Sequence, residues 1–138
     1  MRKTAAIIVI GLAGLLMGMG DLGGRAAGTV PETAENVKVR VVDRQGVVTE
    51  LSQFSMDGNL HIEGRRGSGV LSIPFANLQA IEFGASNGEE LPATLHLISG
   101  ENLQMQIRRR TIFFGSTGFG AFQIVARDIK RIEFLSTR

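Results

Sequence analysis

Gly67-Ser68-Gly69-Val70-Leu71-Ser72-Ile73, running on to Ile81-Glu82-Phe83, is echoed by Gly118-Phe119-Gly120-Ala121-Phe122-Gln123-Ile124 and Ile132-Glu133-Phe134. At an offset of 51 residues Gly67 meets Gly118, Gly69 meets Gly120, Ile73 meets Ile124, and each Ile-Glu-Phe meets the other, six identities in one ungapped window. Leu71/Phe122, Asn77/Asp128 and Leu78/Ile129 are like-for-like exchanges. A period of this length is the size of a small structural unit, so the pattern predicts a duplicated module.

Around the echo the chain alternates with period two, the pattern of half-buried strands. Val37, Val39 and Val41 share one face, and Arg44-Gln45-Gly46 turns the chain into a second strand over Val47 to Phe54. Met56-Asp57-Gly58-Asn59 is a further turn, because Asp-Gly tolerates the positive φ of tight hairpins. Leu60 and Ile62, then Leu71, Ile73 and Phe75, supply inner rows, with Pro74 marking an edge strand. Phe75 to Gln79 reads as one helical turn before Ile81 and Phe83 close the unit. The second copy repeats the plan through Leu95 and Leu97, Leu103, Met105 and Ile107, the short strand Thr111 to Phe114, then Phe122, Ile124 and Ala126. Its helical turn falls on Asp128-Ile129-Lys130, before Ile132 and Phe134.

These patterns predict an all-β chain of two tandem five-stranded repeats, closely packed, over residues 37–84 and 93–138, joined by a linker at 85–92. The alternative is one ten-stranded sandwich or barrel. Residues 29–36, with Val30-Pro31 and a polar run, read as an extended, loosely attached leader.

Residues 1–28 carry an address. Arg2 and Lys3 precede the uncharged apolar stretch Ala5 to Met17 and a small-residue region from Gly18 to Gly28, the layout of a secretory signal peptide cut after Ala26 or Gly28. An uncleaved inner-membrane anchor is the alternative, weakened by Gly11, Gly14, Gly18 and Gly20. With no cysteine, disulfides, thiolate zinc sites and thiol catalysis are excluded. Export without disulfides points to the periplasm of a Gram-negative bacterium. Removing the segment takes Arg2, Lys3 and Arg25 from the 15 basic residues and Asp21 from the 13 acidic ones, so 12 of each remain. A formally neutral mature chain argues against nucleic acid as its partner.

The plan resembles the small barrels called SH3-like and, more closely, Sm-like. The resemblance rests on the five-strand unit, the Gly46 turn, and Phe54 to Leu60, where Phe54 and Asn59 have the Sm-like aromatic-to-Asn spacing while Ser55 stands at the family's Asp position. It implies small β-barrel modules, and RNA binding is not transferred to Asn59. A looser likeness is to exported bacterial proteins whose small β modules end in Ile-x-x-Ile-x-Phe, here Leu78/Ile81/Phe83 and Ile129/Ile132/Phe134.

Chemistry-bearing residues are few. His61 and His96 fall on outward rows, and with Glu63 or Glu101 they are the only material for a small hydrolase or metal-dependent enzyme, yet no ligand spacing links them. The Gly-rich stretches sit between strands and not before a helix, so turn geometry accounts for them better than phosphate binding. Arg65-Arg66 and Arg108-Arg109-Arg110, with Phe113 close behind, are the candidates for contact with a partner or, as an alternative function, with an anionic ligand such as a lipid head group or nucleic acid, set against local pairing with Glu63, Glu101 and Glu89-Glu90. The absence of Trp and Tyr lowers the case for a carbohydrate module. The expected function is therefore an exported, non-catalytic envelope protein, a binding or structural module with no cofactor and no metal. Its expected partner is another envelope protein or a second copy, with membrane contact only through an uncleaved N-terminal segment.

Overall fold

The computed structural model describes residues 29–135. Ten strands alternate with turns in the order β1 (Val39–Asp43), β2 (Val48–Met56), β3 (His61–Arg66), β4 (Gly69–Pro74), β5 (Leu78–Phe83), β6 (Glu90–Leu97), β7 (Asn102–Arg108), β8 (Ile112–Ser116), β9 (Ala121–Val125) and β10 (Ile129–Phe134). Single 3₁₀ turns, Phe75–Asn77 and Ala126–Asp128, precede β5 and β10. The second lies two residues earlier than the Asp128 to Lys130 expectation, because Ile129 already belongs to the closing strand.

All ten strands form one antiparallel sheet in the order β4-β3-β7-β6-β5-β10-β1-β2-β8-β9, curled into a half-barrel. The all-β expectation holds, and the ten strands share a single curled sheet, neither a two-layered sandwich nor a closed barrel, in which strands from 37–84 and 93–138 interleave. After the Asp57-Gly58 turn, where both residues have positive φ, β2 does not continue alongside β3. β2 pairs with β8, Met56 opposite Phe113 and Ser55 opposite Phe114, while β3 pairs with β7, Arg65 opposite Gln106. Period-two alternation tells which face of a strand is buried and is silent about its neighbour.

Two glycines make these cross-pairings fit. A Cβ on Gly64 would stand 2.7 Å from the Gln106 carbonyl oxygen and 2.5 Å from Met105 Sδ; on Gly115 it would stand 2.8 Å from Leu51 Cβ. Gly64 and Gly115 are themselves 51 residues apart. Backbone bonds recur at the same interval: Phe75 N–H donates to Leu60 O, and Ala126 N–H donates to Thr111 O. The turns closing the β1–β2 and β6–β7 hairpins have the same hydrogen bond at a longer interval of 54 residues, Gly46 N–H donating to Asp43 O and Gly100 N–H to Leu97 O. Strand order is unchanged when read backwards with β1 to β5 exchanged for β6 to β10.

The core lies inside the curl. Phe54 is fully buried at its centre, its ring 5.3 Å from Phe75, 5.5 Å from a nearly parallel Phe113 and 6.0 Å from Phe134. These rings come from β2, the first 3₁₀ turn, β8 and β10, so one aromatic cluster fastens elements from both ends of the sequence. Gln53, with φ of 52°, sits where the β2–β8 register shifts between Ser52 and Ser55, a bulge that bends the sheet.

Two segments are more ordered than their sequence suggests. Within 85–92, β6 begins at Glu90 and pairs directly with β5, so the stretch is mainly a hairpin loop between neighbours. In the leader, Pro31 is buried and the Asn36 side chain accepts the Gln53 N–H at 2.7 Å. The predicted signal helix at 1–28 lies outside the described residues. Among those described, no helix is long and apolar enough to cross a membrane.

Candidate functional site

The β3–β7 pairing brings together the two arginine clusters that are far apart in sequence. Arg65 and Arg66 end β3, and Arg108 ends β7 and leads into Arg109 and Arg110. Glu90, at the start of β6, lies opposite Arg108 in register and receives Arg65 in a two-pronged contact at 2.6 and 3.2 Å. The Arg65 guanidinium holds the Glu90 carboxyl below the ordinary carboxylate range, with Arg108 adding a smaller attraction. Glu90 in turn raises the Arg65 pKa.

The neighbouring arginines are anchored differently. Arg109 N–H donates to Glu89 O, and its Nε stands 3.6 Å from Glu89 Oε1, too far for a hydrogen bond. That Nε is buried with no hydrogen-bond partner among the described residues. Arg66 Nη1 donates to Gln104 O at 2.8 Å. Among the described residues no ion pair involves Arg66, Arg108 or Arg110. A cleft of about 620 Å³ lined by Asn87, Glu89, Glu90, Arg108 and Arg110 opens beside them. Arg65, Arg108, Arg109 and Arg110 thus lie beside two carboxylates, Glu89 and Glu90, while Arg66 faces a second cleft with Gln104 and Gln106.

Phe113 does not belong to this surface. It is fully buried and stacked on Phe54, because β8 turns it inward against β2. The expectation that Phe113 touches a partner is corrected accordingly. The wholly exposed aromatic is Phe119, at the β8–β9 tip. In the sequence, the Gly118 and Gly120 flanking Phe119 are the signal for a tip.

His61 lies 3.7 Å from Glu63 on β3. His96, on β6, has Nδ1 2.9 Å from Asn102 Oδ1 and Nε2 3.2 Å from Glu82 Oε1. Among the described residues, no group of three or more His, Asp or Glu is placed to hold a metal ion. Glu101, set beside the histidines and arginines in the sequence, makes no ion pair among the described residues, and its carbonyl accepts the Leu97 N–H in the β6–β7 turn.

His96 instead joins a line of charge across the outer face. Glu50 on β2 pairs with Arg40 on β1, Arg40 with Glu133 on β10, Glu133 with Arg131, and Arg131 with Glu82 on β5, which reaches His96. The line crosses neighbouring strands from β2 to β7. Arg131, then Arg40, lowers the Glu133 pKa through hydrogen bonds, and Glu50 and Glu133 raise that of Arg40. Exposed pairs contribute little singly, but opposite charges on adjacent strands favour one register over a slipped one. The repeated Glu82 and Glu133 thereby acquire a shared role at the sheet's centre.

A second concavity, about 680 Å³, lies beside the leader between Val37, Phe75, Leu78, Ile98 and Phe134, with Glu35 and Lys38 at its lining.

An all-β chain built on one curled ten-stranded sheet, with Arg66, Arg108 and Arg110 outside any ion pair among the described residues, is the class these features define. A family model described as "Uncharacterised protein" matches residues 33–137, and the chain belongs to that family. It is also similar to an "Uncharacterized protein" of Aquifex aeolicus (strain VF5), 26% identical over 134 residues that cover 97% of this chain and 96% of the relative.

Proposed function

We propose that this chain is an exported, non-catalytic envelope protein that binds an acidic face of another envelope component through its arginine end. One observation supports the binding reading: Glu90 ties Arg65 of β3 to the strand pair that carries Arg108, Arg108 and Arg110 line one cleft with Glu89 and Glu90, and Arg66, Arg108 and Arg110 have no ion-pair partner among the described residues. Guanidinium is weakly hydrated and presents forked donors, so it suits carboxylate recognition at an interface. Export is supported by the charged start, apolar stretch and small-residue region of residues 1–28.

The architecture in this proposal is a duplicated Sm/SH3-like unit whose copies exchange their first hairpins. Its support is the 51-residue recurrence of Gly64/Gly115, the 3₁₀ turns and their hydrogen bonds, together with the reversible strand order. Such an exchange gives a single rigid platform for the arginines, because each half of the sheet is completed by the other.

The test is capture from the envelope fraction with the protein and with Arg66→Ala/Arg108→Ala/Arg110→Ala. The expected result is a partner released by moderate salt and lost by the variant. Retention of the same partner by the variant, at the same salt, refutes the arginine site. Determining the amino terminus of the purified protein tests export: a start at Ala27 or Thr29 agrees, and an intact Met1 contradicts cleavage.

A further inference from the structure

The two edges of the sheet, β4 and β9, which have no outer partner strand among the described residues, differ in a way that points to a use for one of them. In β8–β9, register partners Thr117/Gly120 and Thr111/Ala126 are hydrogen-bonded. Antiparallel pairs alternate, so the backbone groups of Ala121, Gln123 and Val125 face away from β8, at the free edge. The same reasoning from Phe75 N–H to Leu60 O puts Val70, Ser72 and Pro74 at the outer side of β4. Pro74 has no N–H to offer, and its hairpin carries Glu63, Arg65 and Arg66. On that edge Pro74 breaks the row of outward donors, and charged side chains stand on the adjoining strand. The other has neither: residues 111–126 contain no charged residue and no proline, in a chain that is 20% charged.

We infer that β9 is a self-pairing edge, which joins β9 of a second copy in antiparallel register with Gln123 on the two-fold axis. Ala121 then faces Val125 of the second copy, Gln123 faces its equivalent, and every outward N–H meets a C=O. Phe122 and Ile124, half-buried at the rim of the core, are covered by their equivalents. The hairpin tip is held ready, since Thr117 Oγ1 accepts the N–H groups of Phe119 and Gly120 at 3.0 and 3.1 Å. In this register Phe119 extends beyond the paired strands towards the copy's Arg127, whose side chain is 47% exposed. The blocked β4 edge stops further addition, so the product is a closed pair with one continuous sheet and not a filament. This deepens the self-association reading and does not depend on the arginine end, because Arg66→Ala/Arg108→Ala/Arg110→Ala leaves β9 unaltered.

The chain has no cysteine, so single introduced thiols report the register. In the full chain, Gln123→Cys places two thiols on strands about 5.5 Å apart at Cα, within disulfide reach. Ala121→Cys places them four residues apart along the strand, about 13 Å, out of reach. Under mild oxidation the expected result is a covalent dimer from Gln123→Cys alone, with Ala121→Cys and Ser72→Cys uncrosslinked. Equal crosslinking of Gln123→Cys and Ala121→Cys, crosslinking through Ser72→Cys, or no dimer from Gln123→Cys overturns the inference. In sedimentation of the unoxidised full chain, Gln123→Lys is expected to weaken dimerisation at least tenfold while Val70→Lys has no effect; an unchanged Gln123→Lys chain, or one of unaltered monomeric mass in both forms, also overturns it.

Discussion

Replacing Gly64 by alanine tests the contact that lets β3 lie against β7. The added Cβ would stand 2.7 Å from the Gln106 carbonyl oxygen and 2.5 Å from Met105 Sδ. Methionine can swing its sulfur away, but a backbone oxygen in a strand ladder moves only with the strand. Relieving the overlap requires β3 and β7 to part by roughly half an ångström, which disturbs the packing of the fully buried Ile62 and the Met105 side chain. Overpacking of this kind costs about 1–3 kcal/mol, and the backbone contact places Gly64→Ala in the upper half of that range. For a domain of this size, that lowers the melting temperature by about 8–15 °C. Far-ultraviolet circular dichroism is the suitable assay, since the chain has neither Trp nor Tyr. Gly120→Ala is the control: its Cβ meets nothing within 4 Å and it is absent from the positive-φ glycines, so it melts within a few degrees of the parent. A Gly64→Ala melt indistinguishable from that of Gly120→Ala refutes the close-approach argument.

Phe54→Ala, which empties the centre of the aromatic cluster, is expected to cost about 3–5 kcal/mol in urea unfolding, whereas Phe119→Ala stays within about 0.5 kcal/mol; similar values for the two contradict their assigned environments. Glu90 and Glu133 have folded pKa values below their unfolded ones, so their stabilisation is complete above the ordinary carboxylate value of about 4.3 and is lost as pH falls through the depressed folded values. Thermal melts below that value should therefore fall more steeply for the protein than for Glu133→Gln, and parallel curves count against the ion-pair account. Arg66→Ala/Arg108→Ala/Arg110→Ala should melt within about 0.5 kcal/mol of the parent, because these side chains are not in ion pairs; a large loss makes the arginine end structural.

Strand identity, inner rows and turns were legible because each follows from local chemistry. Val39 and Val41 are buried as alternation requires, Asp57 and Gly58 take the positive φ their residue types permit, and Pro74 does lie on an edge strand. Partner choice was not legible, because the same inner row of β2 can face β3 or β8 without changing any residue's burial pattern. Gly64 and Gly115 were the one available signal, sharing the 51-residue interval of the echo but standing outside its identical window. The arginine clusters were visible as clusters, but their meeting depends on the β3–β7 pairing. Phe113 was misplaced for a related reason: nearness in sequence to Arg110 suggested a shared surface, while β8 turns its ring into the core.

The single-sheet pairing is tested most directly by a paired-cysteine experiment in the otherwise cysteine-free chain. Ser52 and Ser116 are register partners across β2 and β8, so Ser52→Cys/Ser116→Cys should close an intramolecular disulfide on mild oxidation. If the Met56/Asn59 bridge instead continued as a β2–β3 hairpin, as in a self-contained repeat, Ser52 would face Glu63. Rapid closure of Ser52→Cys/Ser116→Cys and none of Ser52→Cys/Glu63→Cys is expected; the reverse result contradicts the single-sheet pairing.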